Sequence, residues 1–247
     1  MEQKKERIWE IDALRGFFLI FVFASHFTYD LSVFFGTAMP DNPVVNFIFH
    51  YGGALFIVIS GISATLGSRS FRRGVIVFCC GMGITLATFL LYKLDFLGSG
   101  DLIHFGILHL LGVCMMLYPL FKKLPSPVLL ILSAVTLAVG IWFESITITA
   151  ASDGFDIRNY LFVFGLMTPD YAAGDFFPIL PNICYFLLGI VLGRTAYKDK
   201  KTLFPHFPKD FSLVRAVRFM GRHSLIFYLA HQPVLFGVLW VISEIFG

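Results

Sequence analysis

The amino-acid sequence predicts an all-α, polytopic integral membrane helix bundle of about seven transmembrane helices, with its N-terminus in the cytoplasm. Three observations carry this expectation. The 247 residues are 57% hydrophobic and only 14% charged, where soluble domains carry about 25% charged residues. Thirty phenylalanines and a mean hydropathy of +0.79 are more apolar surface than one water-soluble core of this size hides, whereas a bilayer solvates it. Uncharged runs recur at close to the ~20 residues that a helix needs to cross a ~30 Å hydrocarbon core. Seven such helices use about 140 residues. Short loops account for most of the remainder, so one transmembrane domain over residues 1–247 is expected.

In chain order the uncharged runs fall at residues 17–36, 44–66, 75–93, 102–121, 128–143, 180–196 and 220–245. A further apolar stretch, 160–167, is too short to cross and is expected to be re-entrant or to lie along the outer surface. The first run is long and lacks a small-residue cleavage site, so it reads as a retained span rather than a signal peptide. Lys and Arg set the orientation. With the N-terminus inside, only Lys93 and Arg158 of the 19 basic residues fall outside, the asymmetry of the positive-inside rule. The formal net charge of +3 therefore reports topology, and no nucleic-acid partner is expected. Cys79, Cys80, Cys114 and Cys184 all lie in apolar runs and read as small core hydrophobes; their spacing suggests no metal site. The outer segment 144–181 carries Glu144, Asp153, Asp156, Asp170 and Asp175 beside aromatic residues. A long loop of that kind is either functional or a solvated cap over the bundle.

Ionisable residues inside spans are costly and by default mark functional sites. The first span opens with Asp12-Ala-Leu-Arg15 and carries His26 eleven residues after Arg15. Eleven residues turn about 20° past three full turns and rise about 16 Å. Both side chains then share a face, and an Arg15 at the inner interface leaves His26 near mid-bilayer. A plainer alternative stands beside this: Asp12 caps the helix, Arg15 snorkels to lipid phosphates, and His26 bonds a neighbouring helix. His231, just before Pro233, lies about 13 Å beyond Arg222 into the last span, and His109 about 16 Å from the inner end of the fourth. Three imidazoles from three helices are thus expected in one layer, with His50 and His104 nearer the outer face and close to Asp101. Histidine titrates near neutrality, so it suits a general base for a hydroxyl or amine attacking an acyl group, or an acyl carrier. The inner face offers Arg15, Arg69, Arg72, Arg73, Arg194, Arg215, Arg218 and Arg222, which suit either phosphate groups or anionic lipid.

Several phrases read together: WEIDALRG followed by His26, GGALFIVISG at 52–61, FGILHLLG at 105–112, DFFPILPN at 175–182 leading to LLGIVLGR at 187–194, and GRHSLIFYLAHQPV at 221–234. In this order they resemble the heparan-alpha-glucosaminide N-acetyltransferase catalytic-domain family, within the wider transmembrane acyltransferase superfamily, from about residue 8 to 235. The resemblance implies an acyl-CoA donor, acetyl-CoA first among them, bound from the cytoplasm, and a sugar-like acceptor reached from the opposite face. It implies that His26 is the catalytic or acyl-handling residue, with Arg15 on the donor side and Asp12 beside it. Arg194 and Arg222 would join Arg15 at the donor phosphates, and His50, His109, His231 and Asp175 would support the site or meet the acceptor. The lysosomal branch is expected to place its working histidine in the loop after the first catalytic helix. Residues 30–49 contain no histidine here, so His50 is the nearest substitute.

The expected function is acyl transfer from acyl-CoA to a sugar or glycan-type acceptor at or across the membrane. No metal is expected; the expected surroundings are membrane lipid in a bacterial cytoplasmic membrane, and self-association is left open. Two rivals belong to other classes. One is a small proton-coupled transporter that uses the histidine layer as a relay, although the inverted repeat common in transporters is not visible. The other is a non-catalytic scaffold or sensor.

Overall fold

A computed structural model describes residues 7–38, 41–146, 148, 157–168, 171–208 and 211–246. The helices are α1 (Trp9–Phe35), α2 (Pro43–Leu66), α3 (Ser70–Lys93), α4 (Ile107–Phe121), α5 (Ser126–Glu144), α6 (Ile179–Thr195), α7 (Ser212–Arg222) and α8 (Ser224–Phe246), with 3-10 turns at Ser99–Asp101 and Ile157–Phe164. Trp9–Ser32, α3, α5 and Ser224–Ile245 are long and apolar enough to cross a membrane, and Tyr51–Leu66, α4 and α6 are shorter apolar helices. Together these are the seven apolar spans that the sequence predicts. Their outward faces are bare hydrocarbon: Leu86, Ile131, Trp142 and Ile226 are each more than half exposed. Such faces suit acyl chains and not water.

The boundaries differ from the sequence expectation in four places. The first helix starts at Trp9 rather than residue 17, so Asp12 and Arg15 lie within its body. The uncharged-run criterion cut it short, because Glu10, Asp12 and Arg15 are charged yet mostly paired inside the fold. The fourth helix starts at Ile107, and Leu102 and Gly106 before it are extended. The last run divides at His223 into α7, with Arg215, Arg218 and Arg222 along it, and the apolar α8. The stretch at 160–167 is the C-terminal part of the 3-10 segment Ile157–Phe164 and the turn that follows.

The chain forms two compact units, one of residues up to Ile59 with Tyr197 onward, the other Ser60–Ala196. In the first, α1 packs against α7 and α8. At the α1–α7 crossing a Cβ on Gly16 would overlap the Val217 carbonyl, and one on Gly221 the Asp12 carbonyl. Backbone meets backbone there, the close approach that small residues allow between membrane helices. The Glu10 carboxylate, 4% exposed, accepts hydrogen bonds from the Thr202 hydroxyl at 2.8 Å and the Leu203 N–H at 2.7 Å. It thereby ties the start of α1 to the segment before α7. Burial, aided by the nearby Glu10 charge, pushes the Tyr197 phenol up to about 12.

In the second unit α3 packs on α4, α5 on α6, and α4 on α6. Gly74 and Gly112 again let backbones approach, and two buried hydroxyls bridge helices, Ser70 to the Met115 carbonyl at 2.9 Å and Ser133 to the Cys184 carbonyl at 3.0 Å. Arg194 donates to the carbonyls of Phe121 (3.1 Å), Lys122 (3.1 Å) and Leu124 (2.6 Å). A cation on the carbonyls that end α4 answers both their missing donors and the negative end of the helix dipole.

The glycine contacts make a prediction with an internal control. Gly221→Ala should lower the thermal unfolding midpoint in detergent, because overpacking costs about 1–3 kcal/mol. Gly237→Ala, with nothing within 4 Å of its added Cβ, should leave the midpoint in place. Equal midpoints for the two variants would show that the crossing is not the tight contact described.

Candidate active site

Along the α1–α8 seam, polar side chains are set in an aromatic lining. His26 on α1 and His231 on α8 meet with ring centroids 4.9 Å apart and planes tilted by 60°. Phe23, one turn before His26, stacks on His231 at 5.0 Å, and Tyr228 flanks the same ring at 5.2 Å. The His231 side chain is buried, 8% exposed; His26 is half-buried. The His231 Nδ1 lies within hydrogen-bond reach of the Tyr228 carbonyl, one turn back. A carbonyl only accepts, so Nδ1 carries the proton and, in the neutral ring, Nε2 carries the lone pair. That Nε2 is buried without a hydrogen-bond partner among the described residues. Pro233 lies inside α8 just beyond and removes one backbone donor from this stretch, which loosens the helix there.

One turn along α1 from His26 stands Asp30, 3% exposed. The Gln232 amide nitrogen, next to His231 in sequence, donates across the seam to both carboxylate oxygens at 3.0 and 3.2 Å. The carboxylate can only accept, which fixes the amide with Nε2 toward Asp30 and leaves Oε1 buried without a donor among the described residues. The sequence reading missed both residues. The available signal was an acid four residues after His26, hence on the same helix face, inside an otherwise uncharged run.

Five turns from Asp30 toward the N-terminus, Asp12 is 3% exposed and sits between two arginines. Arg15 Nη1 donates to Asp12 Oδ1 at 3.0 Å and to the Gly221 carbonyl at 3.1 Å, and Arg222 Nε lies 3.6 Å from Oδ2. One carboxylate thus meets two guanidinium groups at the α1–α7 crossing. Arg222 keeps a side chain 41% exposed.

The remaining site candidates have other neighbours. His109 sits in the first turn of α4, not midway along a span, because α4 starts at Ile107. It is 1% exposed, and both ring nitrogens are used. Nδ1 accepts from the Gly106 N–H at 3.1 Å, and Nε2 lies 3.3 Å from the Thr85 hydroxyl, which itself donates to the Ile103 carbonyl. That network fixes the Nε2–H tautomer and makes His109 a closure of the α4 N-terminus. The structure therefore joins two members of the expected histidine layer and gives the third a separate, local set of partners. Asp175 accepts from the Ile107 N–H at 3.1 Å, at the same helix N-terminus, where an acid suits the dipole. Arg194 is engaged at the end of α4 as described above. The side chain of His50 lies outside the described residues, as do Asp153, Asp156 and Asp170. Asp101 accepts from the Gly98 N–H at 3.0 Å. His104 packs its ring on Phe162 and Tyr171, and burial lowers its pKa from the ordinary histidine value. Among the described residues no group of three or more His, Cys, Asp or Glu is arranged to hold a metal ion.

The seam therefore offers a base with an assigned lone pair, a second imidazole against it, and a buried carboxylate one turn away, all on two apolar helices. This is equipment for moving a proton away from water. A family model described as heparan-alpha-glucosaminide N-acetyltransferase, catalytic, matches residues 7–233, which takes in α1 with His26 and α8 through His231. No curated protein and no solved structure matches the chain. The motifs, the helical membrane architecture and the family match agree, and the chain belongs to the heparan-alpha-glucosaminide N-acetyltransferase catalytic family.

Proposed function

We propose that this chain is a membrane-embedded acyltransferase that moves an acetyl group from cytoplasmic acetyl-CoA to a sugar or glycan-type acceptor, with the His26–His231 pair as its catalytic centre. The observation that carries the reading is the pair itself: two imidazoles in contact on apolar helices, one with its tautomer assigned. Among the described residues His26 has a ring contact with His231 but no hydrogen bond, so its nitrogens are left for substrate. Acting as general base, His26 takes a proton from the acceptor's attacking nitrogen or oxygen as that atom bonds to the thioester carbonyl. The carbon–sulfur bond then breaks, and the proton passes to the departing thiolate of coenzyme A. His231 Nε2, an acceptor by its tautomer, steadies the charged imidazole that exists between those two steps. A base placed in this way contributes about 10²- to 10⁴-fold to rate.

The donor's phosphates suit the basic end of α1 and α7. Arg15 and Arg222 both reach the Asp12 carboxylate, and Arg222 keeps a side chain 41% exposed. Arginine favours phosphate oxygens through its planar fork. The extended pantetheine arm is comparable in length to the about 16 Å of helix between Arg15 and His26. In this reading the chain works in a cytoplasmic membrane and receives its acceptor from the opposite face.

The rival transporter reading draws on the same imidazoles, and one assay separates them. Purified protein in detergent should transfer acetyl from acetyl-CoA to an amino sugar or an oligosaccharide. His26→Ala and His231→Ala should each lower that rate by about 10²-fold or more. Proton flux into sealed liposomes without acyl-CoA, together with no transfer in detergent, would decide for transport; unchanged turnover in His26→Ala would end the assignment of His26.

Donor binding gives a second measurement that needs no turnover. Acetyl-CoA should raise the thermal midpoint of the purified protein, since a ligand that binds only the folded state stabilises it. That shift should shrink in Arg222→Ala and persist in His26→Ala. A shift of equal size in all three proteins would place the donor phosphates elsewhere.

A further inference from the structure

The proposed catalytic pair leaves a buried acid unexplained. Asp30 is 3% exposed on α1, and among the described residues its only polar side-chain partner is the Gln232 amide. No Lys, Arg or His nitrogen of the described residues lies within ion-pair distance of it, unlike Asp12 on the same helix with its two arginines. A buried carboxylate without a cation is costly, and one neutral amide does not offset the lost hydration. Two neighbouring groups lack a donor altogether. His231 Nε2 and Gln232 Oε1 are both buried acceptors with no donor among the described residues. Their orientations are not free choices, since the Tyr228 carbonyl fixes one and the Asp30 carboxylate the other. The seam thus holds a carboxylate with no cation and two acceptor atoms with no donor among the described residues. A ligand with several N–H donors and a positive charge complements that set.

We infer that Asp30, held by Gln232, is the specificity-determining residue of the acceptor subsite, and that it selects acceptors bearing a protonated primary amine over those offering only hydroxyls. The inference rests on the acyltransferase reading for its placement of the acceptor beside His26, and it extends that reading by assigning amine recognition to a group one turn from the base. The carboxylate binds the ammonium form of the acceptor. His26 removes one proton, the neutral amine bonds to the thioester carbonyl carbon, and the carbon–sulfur bond breaks; the second nitrogen proton goes to the departing thiolate, and His26 releases the first to solvent. Gln232 is a positioning residue in this scheme: it keeps the carboxylate turned into the seam.

Asp30→Asn tests this, because it removes the charge and retains the shape. In transfer assays with acetyl-CoA and glucosamine, the variant should lose about 10- to 100-fold in kcat/KM, the weight of a charge-assisted hydrogen bond. The loss should fall mainly on KM for glucosamine, with KM for acetyl-CoA unchanged, and Asp30→Glu should recover part of it. Without any acyl donor, glucosamine should stabilise the wild-type protein thermally more than glucose at equal concentration, and Asp30→Asn should abolish the difference. If Asp30→Asn merely misfolds, its ligand-free midpoint falls, and the wild-type comparison of glucosamine with glucose still decides: equal stabilisation overturns the inference. Transfer activity with unaltered amine preference in Asp30→Asn overturns the role of Asp30 alone. Amine-selective stabilisation in a protein that transfers no acetyl group would instead overturn the acyltransferase reading and leave the amine subsite standing.

Discussion

Three acids of α1 are buried, and each depends on a partner inside the protein. A span in hydrocarbon has no water to lend, so every polar group on it must find its partner inside the protein or remain uncompensated. Glu10, Asp12 and Asp30 are 4%, 3% and 3% exposed, and each finds a partner near the far end of the chain: Thr202 and Leu203 for Glu10, Arg222 for Asp12, Gln232 for Asp30. This requirement assembles the unit in which residues up to Ile59 and residues from Tyr197 onward come together. Hydrophobic burial does not specify that pairing, because lipid is as good a solvent for Leu and Phe as another helix is. The acids supply the specificity, and Gly16 and Gly221 let α1 and α7 approach closely enough for Arg15 to reach the Gly221 carbonyl.

The same chemistry explains which parts of the molecule the sequence makes legible. Apolar runs are a bulk property, so the number and approximate position of the spans are readable without any knowledge of packing. Ends are not, since a helix end depends on whether its charged residues find partners. The stretch from Trp9 to Gly16 is dense in charge and still helical, because Asp12 and Arg15 neutralise one another. His26 and His231 were readable as intramembrane imidazoles from composition alone. Their contact was not, since it depends on the rotation of α8 about its axis. Asp30 and Gln232 escaped notice for a related reason: an acid near the end of an uncharged run resembles a boundary until its partner is seen. The helix α7 was hidden because an amphipathic segment rich in arginine fails a test built on uncharged runs.

His109 and His231 show why residue type and depth alone do not locate a site. Both are nearly sealed from solvent, at 1% and 8% exposure, and both belong to phrases that carry the family likeness. His109 has a donor on one nitrogen and an acceptor on the other, so every proton position in its ring is determined by structure. Using it as a base would break the contact that closes α4. His231 has one nitrogen determined and the other unmatched. The determined nitrogen is what makes the unmatched one useful, because it sets which atom holds the lone pair and where that atom points.

An unmatched buried acceptor costs about 1–3 kcal/mol, and among the described residues the α1–α8 seam tolerates two on adjacent residues, His231 and Gln232. Apolar side chains of similar size would remove that cost, and the rest of the bundle shows that such side chains are plentiful. Acceptors that nothing among the described residues satisfies, one of them on the imidazole pair itself, are therefore better explained by a ligand than by the fold. The stability they sacrifice in the empty protein becomes binding selectivity when a donor arrives. A neutral scaffold has no use for that exchange. A proton relay needs alternating donors and acceptors in a continuous line, whereas this seam presents acceptors side by side. The arrangement fits a site that captures a donor-rich substrate and takes one proton from it.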